Sequence, residues 1–199
     1  MNRSCKTILI TGFNPFGGEE INPSWEAVSS LPDMIGEHKI IKMQIPTEYN
    51  HASSCVLEKA AHIHPDVILC IGQAGGRNAV TPEVIGINLR EASIPDNAGY
   101  QPVNVPVIEN AREAYFATVP VREMVDAIRS HYIPAKLSYS AGTFVCNDVL
   151  YTLLHAYHGT DTLVGFIHVP FLPEQSKNKE PSLPLDKITE ALTACIQVL

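Results

Sequence analysis

A chain of 199 residues suits one domain that buries roughly two-thirds to three-quarters of its unfolded surface. Its 45% hydrophobic and 18% charged residues are those of an ordinary globular protein, and a formal net charge of -7 with no basic cluster argues against a nucleic-acid partner. No apolar stretch approaches the roughly 20 residues that span a bilayer, so no membrane partner is expected.

Residues 1–6 run straight into Thr7-Ile8-Leu9-Ile10, which make a strand core and fall short of a signal-peptide apolar region. The five cysteines are scattered, odd in number and free of any Cys-x-x-Cys pair. That is a pattern of reduced thiols, not of a disulfide framework or a zinc site, and the expected compartment is the cytoplasm.

The first strand ends at Gly12, and the loop Gly12-Phe13-Asn14-Pro15-Phe16-Gly17-Gly18 follows. Gly12 and Gly17 have P-loop spacing, but Gly18 stands at the lysine position and Glu19 at the Ser/Thr position. A phosphate would meet a carboxylate there, so a phosphate site is rejected. Phe13 and Phe16 read two ways: as walls for a flat, neutral ligand, or as plugs of the core.

Tyr49, Ala52, Val56, Ala60 and Ile63 have helical spacing, with Thr47 as the expected N-cap. A second apolar strand over residues 67–71 ends at Gly72 and opens the loop Gly72-Gln73-Ala74-Gly75-Gly76-Arg77. That loop is not Gly-x-Gly-x-x-Gly, so no dinucleotide is expected. Glu83 precedes an apolar stretch. It is either an exposed strand-end acid or the third group that holds an imidazole in one tautomer.

Cys146 begins a helix marked by Val145, Val149, Leu153 and Tyr157 and closed by Gly159. A thiol in a first helical turn faces unpaired N–H groups and the positive end of the dipole, which favours thiolate. The same amides suit an oxyanion. The alternative is a buried thiol serving as a small hydrophobe, a reading that Cys5, Cys55, Cys70 and Cys195 all fit.

A third apolar strand, Leu163–Val169, carries His168 near its end. It is a satisfied core histidine or a base at the rim. His62 and His64 lack an accompanying carboxylate motif, so no metal site is predicted. Residues 171–184, rich in Pro, Lys, Ser and Glu, read as a surface loop, a mobile flap or a subunit contact, and a last helix runs from about 185 to 198.

Alternation of strand and helix without an internal repeat predicts an α/β fold. The expected form is a single domain over residues 1–199: a three-layer sandwich whose mostly parallel twisted sheet is covered by helices on both faces. Ligands of such sheets lie beyond the carboxyl ends of the strands. The loops after Gly12, Gly72 and His168 should therefore meet on one rim.

Several separate motifs occur in order: Gly12-Phe13-x-Pro15-Phe16-Gly17-Gly18, Ile21-Asn22-Pro23-Ser24-Trp25, Gly72-Gln73-Ala74-Gly75-Gly76-Arg77 with Thr81-x-Glu83, Ile94-Pro95-Asp96-Asn97, Ser140 through Asn147, and Gly165-Phe166-Ile167-His168-Val169-Pro170. Together they resemble the pyroglutamyl peptidase type I (pyrrolidone carboxyl peptidase) family over nearly the whole chain. The resemblance implies a cysteine omega-peptidase acting on peptides blocked by an N-terminal pyroglutamyl residue. It implies Cys146 as nucleophile, His168 as proton relay and Glu83 as its orienter. It further implies that Phe13, Phe16, Gln73, Ile94, Phe144 and Val145 surround the pyroglutamyl ring, that no metal or cofactor is needed, and that the chain assembles as a homotetramer. The chemistry agrees, because a lactam without a charged amine wants an apolar pocket with a few hydrogen-bonding groups.

The chain also departs from the family pattern. Arg90-Glu91-Ala92-Ser93 stands where Asp-Asp-Ala-Arg is usual, Val84 replaces a basic residue, Gly86 an Ala, Tyr139 an Asn and Asp148 a His. Ser93 in place of the arginine bears on rate more than on reaction class. It is the feature that favours a second hypothesis, a diverged paralogue that binds cyclic ligands with weak turnover. A nucleoside-processing enzyme is a third reading, resting on fold analogy alone.

Overall fold

Residues 5–177 and 179–199 are described by a computed structural model. In chain order the elements are β1 (Thr7–Phe13), α1 (Pro23–Ser30), β2 (Met34–Ile35), β3 (His38–Ile45), α2 (His51–Ile63), β4 (Val67–Gln73), β5 (Thr81–Pro82), β6 (Ile85–Ile87) and β7 (Ala114–Phe116). Then follow α3 (Val121–Ser130), α4 (Val145–Ala156), β8 (Leu163–Val169), a 3-10 turn (Pro173–Gln175) and α5 (Leu185–Gln197).

Strands β1, β4 and β8 are buried almost end to end, as their unbroken apolar runs require. They sit side by side in a six-stranded sheet of order β2-β3-β1-β4-β8-β5. Neighbours from β3 to β8 are parallel, while β2 and β5 add antiparallel edges. The expected α/β sandwich with a mostly parallel sheet is therefore observed. Strands β6 and β7 form a separate antiparallel pair.

Side chains of a strand alternate faces, and this splits the interior in two. Ile8, Ile10, Leu69, Ile71 and Ile167 pack with Val28 of α1, Met124 and Ile128 of α3, and Ile188 and Leu192 of α5. Leu9, Ile68, Cys70, Val164 and Phe166 pack with Val56 of α2 and Val149 and Leu153 of α4. By the same alternation Gly72 and His168 face the α2 and α4 side. That is where α4 begins, with Cys146 in its first turn.

Helix α1 is held close to the sheet: a Cβ on Gly12 would lie 2.6 Å from the Trp25 Cα. The Asn22 side chain caps α1 by accepting from the Ser24 N–H, and Pro23 fills the first turn, where its missing N–H costs nothing. Thr47 does not cap α2. Its N–H and hydroxyl donate to Oδ1 and the carbonyl of Asn14, at 2.7 and 3.0 Å, and the cap position falls to Asn50 at φ 61°. Thr47 is thus spent on tying the loops after β1 and β3 together. Helix α4 ends short of Gly159, whose φ of 79° lets the chain turn away.

The segment before α5 folds into the 3-10 turn and a bridge from Phe171 to Ser182. Its Asn178 lies outside the described residues. No helix among the described residues is long and apolar enough to cross a membrane.

Candidate active site

Cys146 is the second residue of α4 and is half-buried. The helix start carries no side-chain cap, because Phe144 occupies the N-cap position without a capping bond. First-turn amides have no partner inside the helix, so those of α4 remain available to an oxygen placed beside the thiol. Glycine at position 72 is what lets the helix approach: a Cβ there would lie 3.0 Å from the Cys146 Sγ and 2.7 Å from the Phe166 ring.

His168 pairs in register with Gly72 and stands 4.8 Å from the Phe166 ring, centroid to centroid. Its exposure is 3%, and its Nδ1 lies 2.7 Å from Oε1 of Glu83. An ionised carboxylate only accepts, so Nδ1 carries the proton and Nε2 keeps a free lone pair. Glu83 itself is 0% exposed, and its N–H donates to the Phe166 carbonyl at 2.9 Å. The reading of Glu83 as an exposed strand-end acid is overturned.

Burial works to raise the Glu83 pKa, but the hydrogen bond and charge of His168 and the hydrogen bond from Arg77 win and hold it below the ordinary value. Burial pushes the His168 imidazole down, with help from the Arg77 charge and against the pull of Glu83. The Cys146 thiol is pushed up to about 12 by burial, then by Glu83 and Cys70, while Arg77 opposes. Burial and the Glu83 carboxylate thus work against the thiolate that the helix terminus favours.

Phe16 and Phe144 form a half-exposed wall, with ring centroids 6.0 Å apart, and Tyr49 meets Phe144 edge-on at 5.5 Å. Ile94 is exposed, and its Cδ1 would lie 3.9 Å from a Cβ on Gly17. Phe13, at 2% exposure, packs on Phe166 at 6.2 Å, and Val145 is likewise buried in the α4 side of the core. Of the two phenylalanines of the first loop, then, Phe13 belongs to the core and Phe16 to the wall. Gln73 sits at the end of β4, where its Oε1 accepts from Nε2 of Gln175 at 3.1 Å.

Several residues of this neighbourhood were given no role at the site by sequence, although Arg90 and Asp148 stood out as departures from the family pattern. Asn147 accepts from the Ile87 N–H at 2.9 Å and donates to the carbonyls of Ile87 and Leu89 at 2.8 and 3.0 Å. Asp148 pairs with Arg90, and Arg77 bonds Glu83. A signal did exist for Asn147 and Asp148: two polar residues lie side by side at the start of a helix that is otherwise apolar. Arg77 gave no such signal, since it ends a glycine loop. Among the described residues, no group of three or more His, Cys, Asp or Glu is placed to hold a metal ion.

Known proteins resemble this chain along nearly its whole length. A family model described as pyroglutamyl peptidase matches residues 6–199. A pyrrolidone-carboxylate peptidase of Enterococcus faecalis is 48% identical over 194 residues, covering 96% of this chain and 91% of the relative. One from Staphylococcus haemolyticus is 48% identical over 198 residues, covering 96% and 92%. The crystal structure of pyroglutamyl peptidase I from Bacillus amyloliquefaciens superposes with a TM-score of 0.95 at 44% identity, covering 98% of this chain and 95% of that one. The pyrrolidone carboxyl peptidase of Thermococcus litoralis gives 0.93 at 36% identity, covering 97% and 92%. Identity of this extent, joined to a matching fold along nearly the full length, means that the chain belongs to the pyroglutamyl peptidase family.

Proposed function

We propose that this chain is a cysteine omega-peptidase, a single peptidase domain over residues 1–199, that hydrolyses the bond after an N-terminal pyroglutamyl residue. The observation that carries the reading is the 2.7 Å bond from His168 to a fully buried Glu83 on the rim where α4 delivers Cys146. A protein that only bound cyclic ligands would gain nothing from a buried carboxylate aimed at an imidazole.

In this reading His168 acts as the base. Nε2 takes the Cys146 proton as Sγ attacks the pyroglutamyl carbonyl. The oxyanion that forms is met by first-turn amides of α4. The imidazolium, steadied by Glu83, then protonates the departing amine and leaves a thioester. Water, deprotonated by His168, releases pyroglutamate and restores the thiol.

Phe16, Phe144 and Ile94 supply an apolar wall for the lactam ring, with Phe13 and Val145 filling the space behind. Since Gln175 occupies Oε1 of Gln73, the Gln73 NH2 group is the one left to donate to the lactam carbonyl. No metal or cofactor is required by any step. A reactive thiol suits the reducing cytoplasm. Exposed Val103, Phe116 and Tyr132 are compatible with contact between copies of the chain, in the homotetramer that the family resemblance implies.

The test is release of chromophore from a pyroglutamyl arylamide under reducing conditions by the wild type and by Cys146→Ser. Turnover should be lost in the variant while its circular dichroism spectrum is kept. Near-normal turnover by Cys146→Ser, or wild-type inertness toward the substrate, would sink the reading.

A further inference from the structure

Arg77 ends the loop after β4, and its side chain turns back onto the site. Nη1 donates to Oε1 of Glu83 at 2.7 Å and to Oγ1 of Thr81 at 2.5 Å. Nη2 donates to the carbonyl of Ser140 at 3.1 Å. The Glu83 oxygen it occupies is the one that also accepts from His168 Nδ1. Thr81 in turn donates to the His168 carbonyl at 3.4 Å, and Ser140 lies in the segment that leads into α4. One guanidinium thus joins the acid, the strand that holds the base and the segment that delivers the nucleophile. Its side chain is 25% exposed and the carboxylate is fully buried, so the pair is poorly screened by solvent.

We propose that Arg77 is a positioning residue of the catalytic machinery, sharing Glu83 Oε1 with His168 so that the imidazole stays neutral and aimed while the segment before Cys146 stays docked. This rests on the triad reading above. Alone, a buried Glu83 carboxylate would make His168 more basic and hold the proton more tightly on Cys146, and both effects oppose catalysis at neutral pH. The Arg77 charge counters both. Besides the Cys146 thiol that it serves in the triad reading, the charged groups acting on His168 are Glu83 and Arg77. Those around Cys146 are Glu83, Arg77, Cys70 of β4 and Tyr49. Arg90 and Asp148, on the far side of Tyr49, are paired with each other.

The experiment is the pH dependence of kcat and kcat/KM on a pyroglutamyl arylamide for the wild type, Arg77→Gln and Arg77→Lys, with Cys146→Ser as reference. Arg77→Gln should lose on the order of tenfold or more in kcat. Its KM should stay within about threefold, because no contact with the ring is removed. Its acid limb should move up by about one pH unit, since a positive charge beside the imidazole is gone. Arg77→Lys keeps the charge but loses the fork. Its limb should stay near that of the wild type while kcat is only partly recovered. A limb that does not move in Arg77→Gln, or one that moves equally in both variants, overturns the proposal. Should Arg77→Gln fail to fold, Arg77→Lys decides alone: a held limb with lowered kcat supports the role, and an upward shift refutes it. An active Cys146→Ser would sink the triad reading itself. An inactive Cys146→Ser with an unmoved Arg77→Gln limb would sink only the role of Arg77.

Discussion

Arg90 and Asp148 form a buried ion pair beside the start of the nucleophile's helix, with Nε and Nη2 of Arg90 each 2.6 Å from Oδ1 of Asp148. Nη2 also donates to Oδ1 of Asn50 at 2.6 Å, and the guanidinium lies over the Tyr49 ring at 5.6 Å. Positions 90 and 148 are two of those at which the chain departs from the usual family residues. Both departures fall on one contact and complete each other.

Arg90 is therefore engaged behind Tyr49, which packs edge-on against Phe144. Arg90→Ala leaves Asp148 buried without its cation and should destabilise the fold by about 3–5 kcal/mol. Replacing both residues, as Arg90→Met with Asp148→Leu, should recover most of that loss. Urea unfolding of the two variants checks it. A single Arg90→Ala within about 0.5 kcal/mol of wild type would show that the pair contributes little.

Ser93 is exposed while Arg90 and Ala92 are buried, so residues 90 and 93 face different surroundings. Ser93→Arg should add a cation at the edge of the site without disturbing the core. Loss of one electrostatic group at a developing oxyanion typically costs on the order of a hundredfold to a thousandfold in kcat. The substitution should accordingly raise kcat, with little change in KM. An unchanged kcat would mean that position 93 does not address the reacting atoms in this chain.

The direction of the pH dependence follows from burial. His168 must be neutral to accept the thiol proton, and its pKa lies below the ordinary 6.5. The acid limb of kcat/KM should therefore fall below 6.5, with activity full above it. His168 and Glu83 both have depressed values in the fold, so both bind fewer protons folded than unfolded. Stability should be full above 6.5, weaken as pH falls below it, and weaken again once pH drops below the ordinary 4.5 of Glu83. Unfolding midpoints measured between neutral and acid pH would show this, and a rise in stability on acidification through that window would contradict it.

Gln175 orients Gln73 through a single amide-to-amide bond. Gln175→Ala should free the Gln73 side chain to rotate and raise KM for a pyroglutamyl arylamide by about tenfold, with kcat little altered. Prolyl arylamide, which lacks the lactam carbonyl and carries a charged amine, should be rejected by about four to five orders of magnitude in kcat/KM. Comparable kinetics for prolyl and pyroglutamyl compounds would refute the pocket.

Features that depend on near neighbours in the chain could mostly be read from the residues alone. The apolar runs of β1, β4 and β8 are legible because a strand buried on both faces tolerates few other residues. The start of α4 is legible because helical spacing sets in at Val145. Alternation along β4 and β8 then carries Gly72 and His168 to the face where Cys146 arrives. Tertiary structure decided what depends on residues far apart in the chain. Glu83 looks like any strand-end acid until Arg77, Ser138 and His168 close over it. Thr47 looks like a helix cap until Asn14 takes both of its donors. Arg90 and Asp148, 58 positions apart, look like isolated departures until they meet. A helix terminus acts over one turn and favours thiolate, whereas burial against Phe166 and Gly72 and the charge of Glu83 come from other elements and oppose it.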